Sequence, residues 1–557
     1  MILHYKSHRS NRPVTGAGRD LGFYLRIVSK GNYMPTEFKS KPGSVGSNRE
    51  SPLADTSVIR EPPRTLGATL LRLGPGMIIA GSIVGSGELI ATTKAGAEAG
   101  FWLLWLIIVG CVIKVFTQVE FGRYTITWSQ TPLKALDSVP GPRLKVNWLL
   151  WYWAIMTVLV ISQQGGIVGG VGQTLAISQP LTRYGRQYNH LQDELATARV
   201  ELKVAQARRA ENAAIDELQQ KIASLASKTA ELREPTDPYL WATILATVTS
   251  VLLFVGRYRL IQFVATALVV TFTIVTIVTL IVLQTKPEWA VTSGDLASGL
   301  SFRLPPAVEG TDINPVGTAL AAFGIIGVGA AELIMYPYWC LEKGYAKFTG
   351  PREDTGRWIK RARGWLHVLY IDAWASMVVY TFATVAFYLL GAAVLARTGL
   401  NPEGKHMVRT LAVMYVPVFG PWADGVFLSG AFAVLYSTFF VAAAGNSRMV
   451  ADALGLFGIT DGSEQARSRW TRIICAIWPL VALVLYVGVR APTKMVLASG
   501  TAQAIMLPML GAAALYFRYR RSDENVRPGR LWDAMLWLSL AGFAVIGGWS
   551  LVSMFSR

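Results

Sequence analysis

Two carboxylates stand where an apolar chain would not ordinarily keep them. Glu88 directly follows Gly85-Ser86-Gly87 inside the long apolar stretch Gly74 to Leu106, and Glu332 follows Gly327 and Gly329 inside a second such stretch, Phe323 to Trp339. Each interior Gly costs a helix about 1 kcal/mol relative to Ala, and an ionisable group at mid-bilayer costs several kcal/mol more. A broken backbone with a carboxylate beside it is tolerated at that depth where it lines a protein-enclosed polar site. Two carboxylates sharing such a site ionise together cheaply only with a cation between them. With unwound backbone carbonyls and water they make an all-oxygen donor set of the kind hard divalent ions accept. Two other readings stay open on the residues alone. Each Glu could pair with an intramembrane base, Lys114 or Lys94, or either could be a protonatable step in a proton relay.

The elements that would position these residues are helices in a bilayer. The chain has 557 residues, 52% of them hydrophobic, and a mean hydropathy of +0.37. Apolar segments fall at approximately 71–98, 101–122, 147–176, 238–256, 259–284, 315–341, 367–395, 421–445, 470–489, 493–517 and 531–554. Several exceed the length of about 18 residues that marks a membrane-spanning helix. The pattern predicts an all-α polytopic membrane protein of eleven spans. Spans one and six, the two interrupted ones, hold corresponding positions in two five-helix halves once the eleventh is set aside. Interrupted helices at matched positions of an inverted repeat are the best sequence pointer to a transport site.

The net charge of +18 does not indicate a nucleic-acid partner. Its Lys and Arg gather in alternate loops, most densely at Lys343, Lys347, Arg352, Arg357, Lys360, Arg361 and Arg363 and again at Arg518, Arg520, Arg521, Arg527 and Arg530. The intervening loops carry Glu288, Asp295, Glu309 and Asp312. This is the positive-inside distribution. It supports the span count and a cytoplasmic N-terminus, and the expected location is the inner (plasma) membrane. Residues 1–65, rich in Ser, Pro, Gly, Lys and Arg, are expected to be a disordered basic arm without a cleavable signal peptide, and Met34 is an alternative start. Cys111, Cys340 and Cys475 sit inside apolar segments at spacings that offer neither a CxxC metal motif nor a disulfide framework.

One stretch does not belong to the membrane. Between spans one to three (66–180) and spans four to eleven (237–557) lies a polar insert, 181–236, expected on the extracytoplasmic side. Leu191, Leu195, Ala198, Leu202 and Ala205 follow a coiled-coil spacing, which Ile215, Leu218, Ile222, Leu225, Thr229 and Leu232 resume after a phase break. A helical hairpin turning near Arg208–Ala214 is the first expectation and a continuous coiled-coil arm the second. Residues 185–232 would serve as a docking or self-association element, or as a decoration packed on itself.

Weaker polar signals fall elsewhere. Glu120 and Asp372, near the inner ends of spans two and seven, are expected to snorkel to water, and His367 to be interfacial. Ser437, Thr438 and Asn446 of span eight are placed to bond across helices, and Gln503 and Pro508 of span ten to line a gate or relieve a kink.

The chain resembles the Nramp family of divalent metal transporters across nearly all of residues 70 to 517. The resemblance rests on Gly74-Pro75-Gly76 opening span one, on Ala95-Gly96-Ala97, Gly100-Phe101 and Leu103-Leu104-Trp105, on Ser437-Thr438 with Ala444-Gly445-Asn446, and on Ser499 with Leu507-Pro508. The family's metal-binding Asp-Pro-Gly-Asn falls here on Gly85-Ser86-Gly87-Glu88, its Met-Pro-His near Ala331-Glu332-Leu333, and its span-ten Gln on Met506. The thioether that favours transition metals is thus missing, as it is in the family's magnesium-type relatives. The resemblance implies a LeuT-type 5+5 inverted repeat with an eleventh helix, working by alternating access. It implies a divalent cation (Mn²⁺, Fe²⁺ or Mg²⁺) as substrate, with protons as the expected coupling ion. Taken with the carboxylates above, the expected site is Glu88 and Glu332 with backbone oxygens around Gly85 and Ala331. No cofactor and no enzymatic activity are expected. The rival functions are a proton- or sodium-coupled carrier of an organic solute or amine on the same fold, and a non-transporting membrane scaffold that works through the 185–232 arm.

Overall fold

A computed structural model describes residues 58–207, 212–256, 258–306 and 313–555. Residues 1–57 of the expected basic arm, residues 208–211 of the expected hairpin turn, and Glu309 and Asp312 lie outside the described residues. Among those described, ten helices are long and apolar enough to cross a membrane: Pro75–Ala99, Leu104–Trp128, Trp148–Ser178, Asp237–Val255, Pro315–Lys343, Gly356–Ala396, Ala423–Leu456, Glu464–Val489, Pro492–Arg521 and Arg530–Met554. Between the fourth and fifth of these runs another apolar helix, Tyr258–Leu283, of 26 residues. At 1.5 Å per residue it is about 39 Å long, enough to span. These are spans one to eleven in chain order. The only β pairing among the described residues joins Arg143–Leu144 to Val146–Asn147.

The ends of the spans follow from local chemistry. Pro opens spans one, four, six and ten in the first turn, where its missing N–H costs nothing. Asn147, Asn314, Thr355 and Ser463 cap spans three, six, seven and nine with side-chain oxygens. Gly256 and Gly344 close spans four and six in the left-handed conformation.

The packing is that of an inverted repeat. Corresponding spans of the two halves touch, two on seven, three on eight and four on nine. The remaining neighbours are matched in the same way, since five packs on eight as ten packs on three. Span eleven lies outside this scheme, against two and ten. The interrupted spans are the most enclosed: 89% of the apolar stretch of span one and 94% of that of span six are buried, against 28% for span nine and 33% for spans four and eleven. The fold is therefore an all-α 5+5 bundle plus one helix, with both broken helices at its centre.

Each break has a local cause. Span one runs as a helix over Pro75–Ile83, parts at Val84-Gly85, and resumes as wider π-type turns over Ser86–Thr92. Gly85 lies against the Thr438 side chain of span eight so closely that a Cβ would collide with it. Span six runs over Pro315–Ile325 and again over Ala330–Lys343. Between them Gly327 takes a φ of +56°, a region that favours glycine.

The insert is a pair of helices, Arg183–Ala207 and Asn212–Ala230, rather than one continuous arm. They run antiparallel and meet through Leu195, Ala198 and Leu225, with Leu191, Ile222 and Ala226 alongside. The hairpin is fastened to the bundle. Asp237 accepts from the amides of Leu181 and Thr182 at 2.7 and 2.9 Å, and Arg409 pairs with Asp193 and donates to Asn189 at 2.9 Å. Because its apolar seam is so small, Leu195→Asp should open the hairpin and leave the bundle folded. Limited proteolysis should then show new cleavage confined to 183–230.

Glu120 and Asp372 do not snorkel. Both are buried. Glu120 pairs with Arg123 at 3.1 Å and accepts from Trp532 Nε1 at 2.7 Å. Asp372 Oδ1 accepts from the Gly74 amide at 3.0 Å, and its Oδ2 from the Gly76 amide at 2.5 Å and the Tyr336 hydroxyl at 3.0 Å. It thereby ties the start of span one to spans six and seven. His367 is exposed, as an interfacial residue would be.

Candidate functional site

The two breaks face each other at the centre of the bundle. Glu88, fully buried, sits in the first turn after the break of span one. Its Oε1 accepts from Thr384 Oγ1 of span seven at 3.0 Å and from the Gly327 amide at 3.4 Å. Glu332 sits in the first turn after the break of span six, its Oε2 turned back over Gly329 close to Gln503 Oε1. One break of four residues, Ile326–Gly329, therefore meets both carboxylates, Glu88 at Gly327 and Glu332 at Gly329. Each carboxylate lies at the amino end of a helical segment, where unpaired N–H groups favour negative charge.

Glu88 Oε2 and Glu332 Oε2 are both buried without a hydrogen-bond partner. Buried carboxylate oxygens almost always have partners, because leaving one bare costs the full desolvation penalty of the group. Two such oxygens therefore stand at one break of span six.

A chain of side-chain amides joins the two breaks. Gln163 of span three donates from Nε2 to Ser86 Oγ at 3.1 Å. Its Oε1 accepts from Ser499 Oγ at 2.8 Å and Gln503 Nε2 at 3.0 Å. Gln503 Oε1 in turn accepts from the Ala331 amide at 3.0 Å. Family spacing places a span-ten Gln on Met506, yet it is Gln503, almost one turn earlier, that reaches the break. Thr384 and Gln163 were not singled out in the sequence, although Gln163-Gln164 is a polar pair inside an apolar span and could have been.

The bases considered as partners for the carboxylates are engaged elsewhere. Lys94 binds Glu98 at 2.7 Å, Glu403 at 2.5 Å and Asn401 at 2.8 Å, at the end of the bundle that carries the hairpin. Lys114 donates to the Phe323 carbonyl and, at 2.7 Å, to the Ile326 carbonyl. Gly85 and Ala331 lie at the site, but the Gly85 carbonyl already accepts from the Leu89 amide at 2.8 Å, and Ala331 offers its amide to Gln503. In span eight, Ser437 and Thr438 reach across to the Gly81 carbonyl at 3.4 Å, whereas Asn446 bonds only within its own helix. Among the described residues no three His, Cys, Asp or Glu side chains converge as a metal cluster. What the centre offers is two carboxylates and amide and hydroxyl oxygens, with Glu332 partly exposed.

Residues 210–553 match the family model "Natural resistance-associated macrophage protein-like". That range leaves out span one and Glu88. Among solved structures, the chain is similar to the manganese transporter of Eremococcus coleocola. A mutant of that transporter with one histidine replaced by alanine is 15% identical, with a TM-score of 0.51 and 90% of each chain covered. A second mutant, with a glutamate replaced by glutamine, is 14% identical, with a TM-score of 0.51 and 90% of this chain and 91% of the other covered. At that identity the likeness concerns the fold. No curated protein matches the chain by sequence.

Proposed function

The chain belongs to the Nramp family, a family of membrane transporters and not of enzymes, and from that premise we propose that it carries a hard divalent cation through a midplane site built on Glu88 and Glu332. The observation that carries this reading is the pair of unpartnered carboxylate oxygens, one from each broken helix, at a single break. Two negative charges from different halves bind a cation only when the halves come together. Alternating access then follows from rocking one half against the other around a fixed site.

The donor set favours ions that accept oxygen. Carboxylate, amide and hydroxyl oxygens suit Mg²⁺ and Mn²⁺, and the absence of thioether or imidazole at the break removes the preference for softer metals. Gly85 and Ala331 would line the site through backbone rather than side chain. A proton exchanged at Glu88 or Glu332 would supply the coupling. The end of the bundle bearing the basic loops would face the cytoplasm and the hairpin the opposite side, in the plasma membrane.

Uptake into proteoliposomes across Mg²⁺, Mn²⁺, Fe²⁺, Ca²⁺ and Zn²⁺ tests the reading, with Mg²⁺ or Mn²⁺ expected to lead. Transport of none of them, with the protein folded, would end it. Glu332→Gln should weaken binding of the transported ion by about 10- to 100-fold, the loss typical of disturbing a metal's ligand environment. Deleting 185–232 should leave that uptake intact. Loss of assembly with no transport in either form would instead favour a scaffold.

A further inference from the structure

The break in span six does more than expose Glu332. In an unbroken helix the Phe323 carbonyl would accept from the Gly327 amide, and the Ile326 carbonyl from the Ala330 amide. The left-handed turn at Gly327 sends its amide to Glu88 instead. Both orphaned carbonyls are taken by one group, the Lys114 ammonium of span two. That ammonium also lies 4.6 Å from the centre of the Phe323 ring, a favourable position for a cation over an aromatic face. Lys114 is fully buried and within Coulombic range of both Glu88 and Glu332, yet it makes an ion pair with neither.

We infer that Lys114 is the resident occupant of a cation cradle formed by the broken span six, and that its charge sets how tightly the neighbouring site holds a divalent ion. The second half of this inference rests on the metal-transport reading above. With both carboxylates ionised and Lys114 charged, the centre carries one net negative charge, and a bound divalent ion takes it to one net positive. Without Lys114 the ion would bring the centre to neutrality. Lys114 thus opposes tight retention, keeps a second cation out, and favours release, while holding span two to the hinge of span six. Its role is positioning and charge-setting, since it touches the break and not the ion.

Two arms test this in detergent-purified protein. In Lys114→Met, Mn²⁺ affinity by calorimetry should rise at least tenfold while the maximal uptake rate in proteoliposomes falls. Unchanged or weaker affinity in the folded variant would overturn the charge-setting role, because a merely structural lysine would only destabilise. In Lys114→Ala, purified in methylammonium chloride in case the empty cradle does not hold its fold, methylammonium should raise the melting temperature. The same salt should not stabilise wild type, and tetramethylammonium, which has no N–H to donate, should not stabilise the variant. No methylammonium effect, or an equal effect on wild type, would overturn the cradle. If wild type binds no divalent ion, the metal reading fails, and the methylammonium arm still decides whether the cradle exists.

Discussion

Glu88→Gln should leave the protein folded and cut divalent-ion binding by about 100-fold or more, with uptake falling to background. The expectation of an intact fold comes from geometry. A glutamine carbonyl can occupy the place of Oε1 and keep the hydrogen bonds from Thr384 and Gly327. What changes is the unpartnered Oε2, which becomes an NH₂ group that repels a cation. Removing one of two ligand charges also halves the attraction that compensates an ion for its lost water. The figure of about 100-fold takes the upper end of what disturbing a metal's outer shell costs, applied here to the proposed ligand Glu88. Calorimetry and uptake on the same preparation check it. Wild-type affinity in Glu88→Gln would remove Glu88 from the site, and a fall in melting temperature without a fall in affinity would make it structural.

Asp372→Ala should produce the largest effect away from the site, a loss of about 3 kcal/mol, the cost expected when a buried charged acceptor with several donors is removed. Asp372 is the anionic cap of span one, accepting from Gly74 and Gly76 while holding the Tyr336 hydroxyl. Without it, two amides at a helix start and one phenol lose their partner in a buried place. The first half of span one, Pro75–Ile83, would be freed from spans six and seven at one end while its break remains at the other. Thermal unfolding in detergent should register the loss, and hydrogen exchange should rise first in that segment. An unchanged melting temperature would show that water replaces the cap at no cost.

Much of this fold could be read from local chemistry. Apolar length, Pro and cap residues place the spans within a few residues, and Gly-Ser-Gly and Gly-x-Gly mark the breaks because glycine acts where it stands. Their matched positions in the two halves already set Glu88 and Glu332 beside the breaks, and both meet the same four-residue break of span six. Azimuth was harder to read. Glu120 and Asp372 lie near span ends, and a linear sequence reports depth in the bilayer but not which way a side chain points. Both point inward. Span seven begins before its apolar stretch because Thr355 starts a helix in polar sequence that hydropathy passes over. Lys114 was legible as a buried base but not in its destination, which depends on a backbone turn at Gly327 more than two hundred residues away. Gln503 stands three residues before Met506, almost one turn along the same side of span ten, and spacing alone does not say which of the two reaches the break.

The three cysteines, Cys111, Cys340 and Cys475, are all buried thiols with no disulfide among them. They are therefore slow to meet a water-borne maleimide in the folded protein. A single cysteine introduced on the hairpin, or in the basic loop before span seven, would be the fast-reacting thiol against this native background. Sidedness could then be measured in sealed vesicles with an impermeant reagent, without first stripping the protein of its own sulfur.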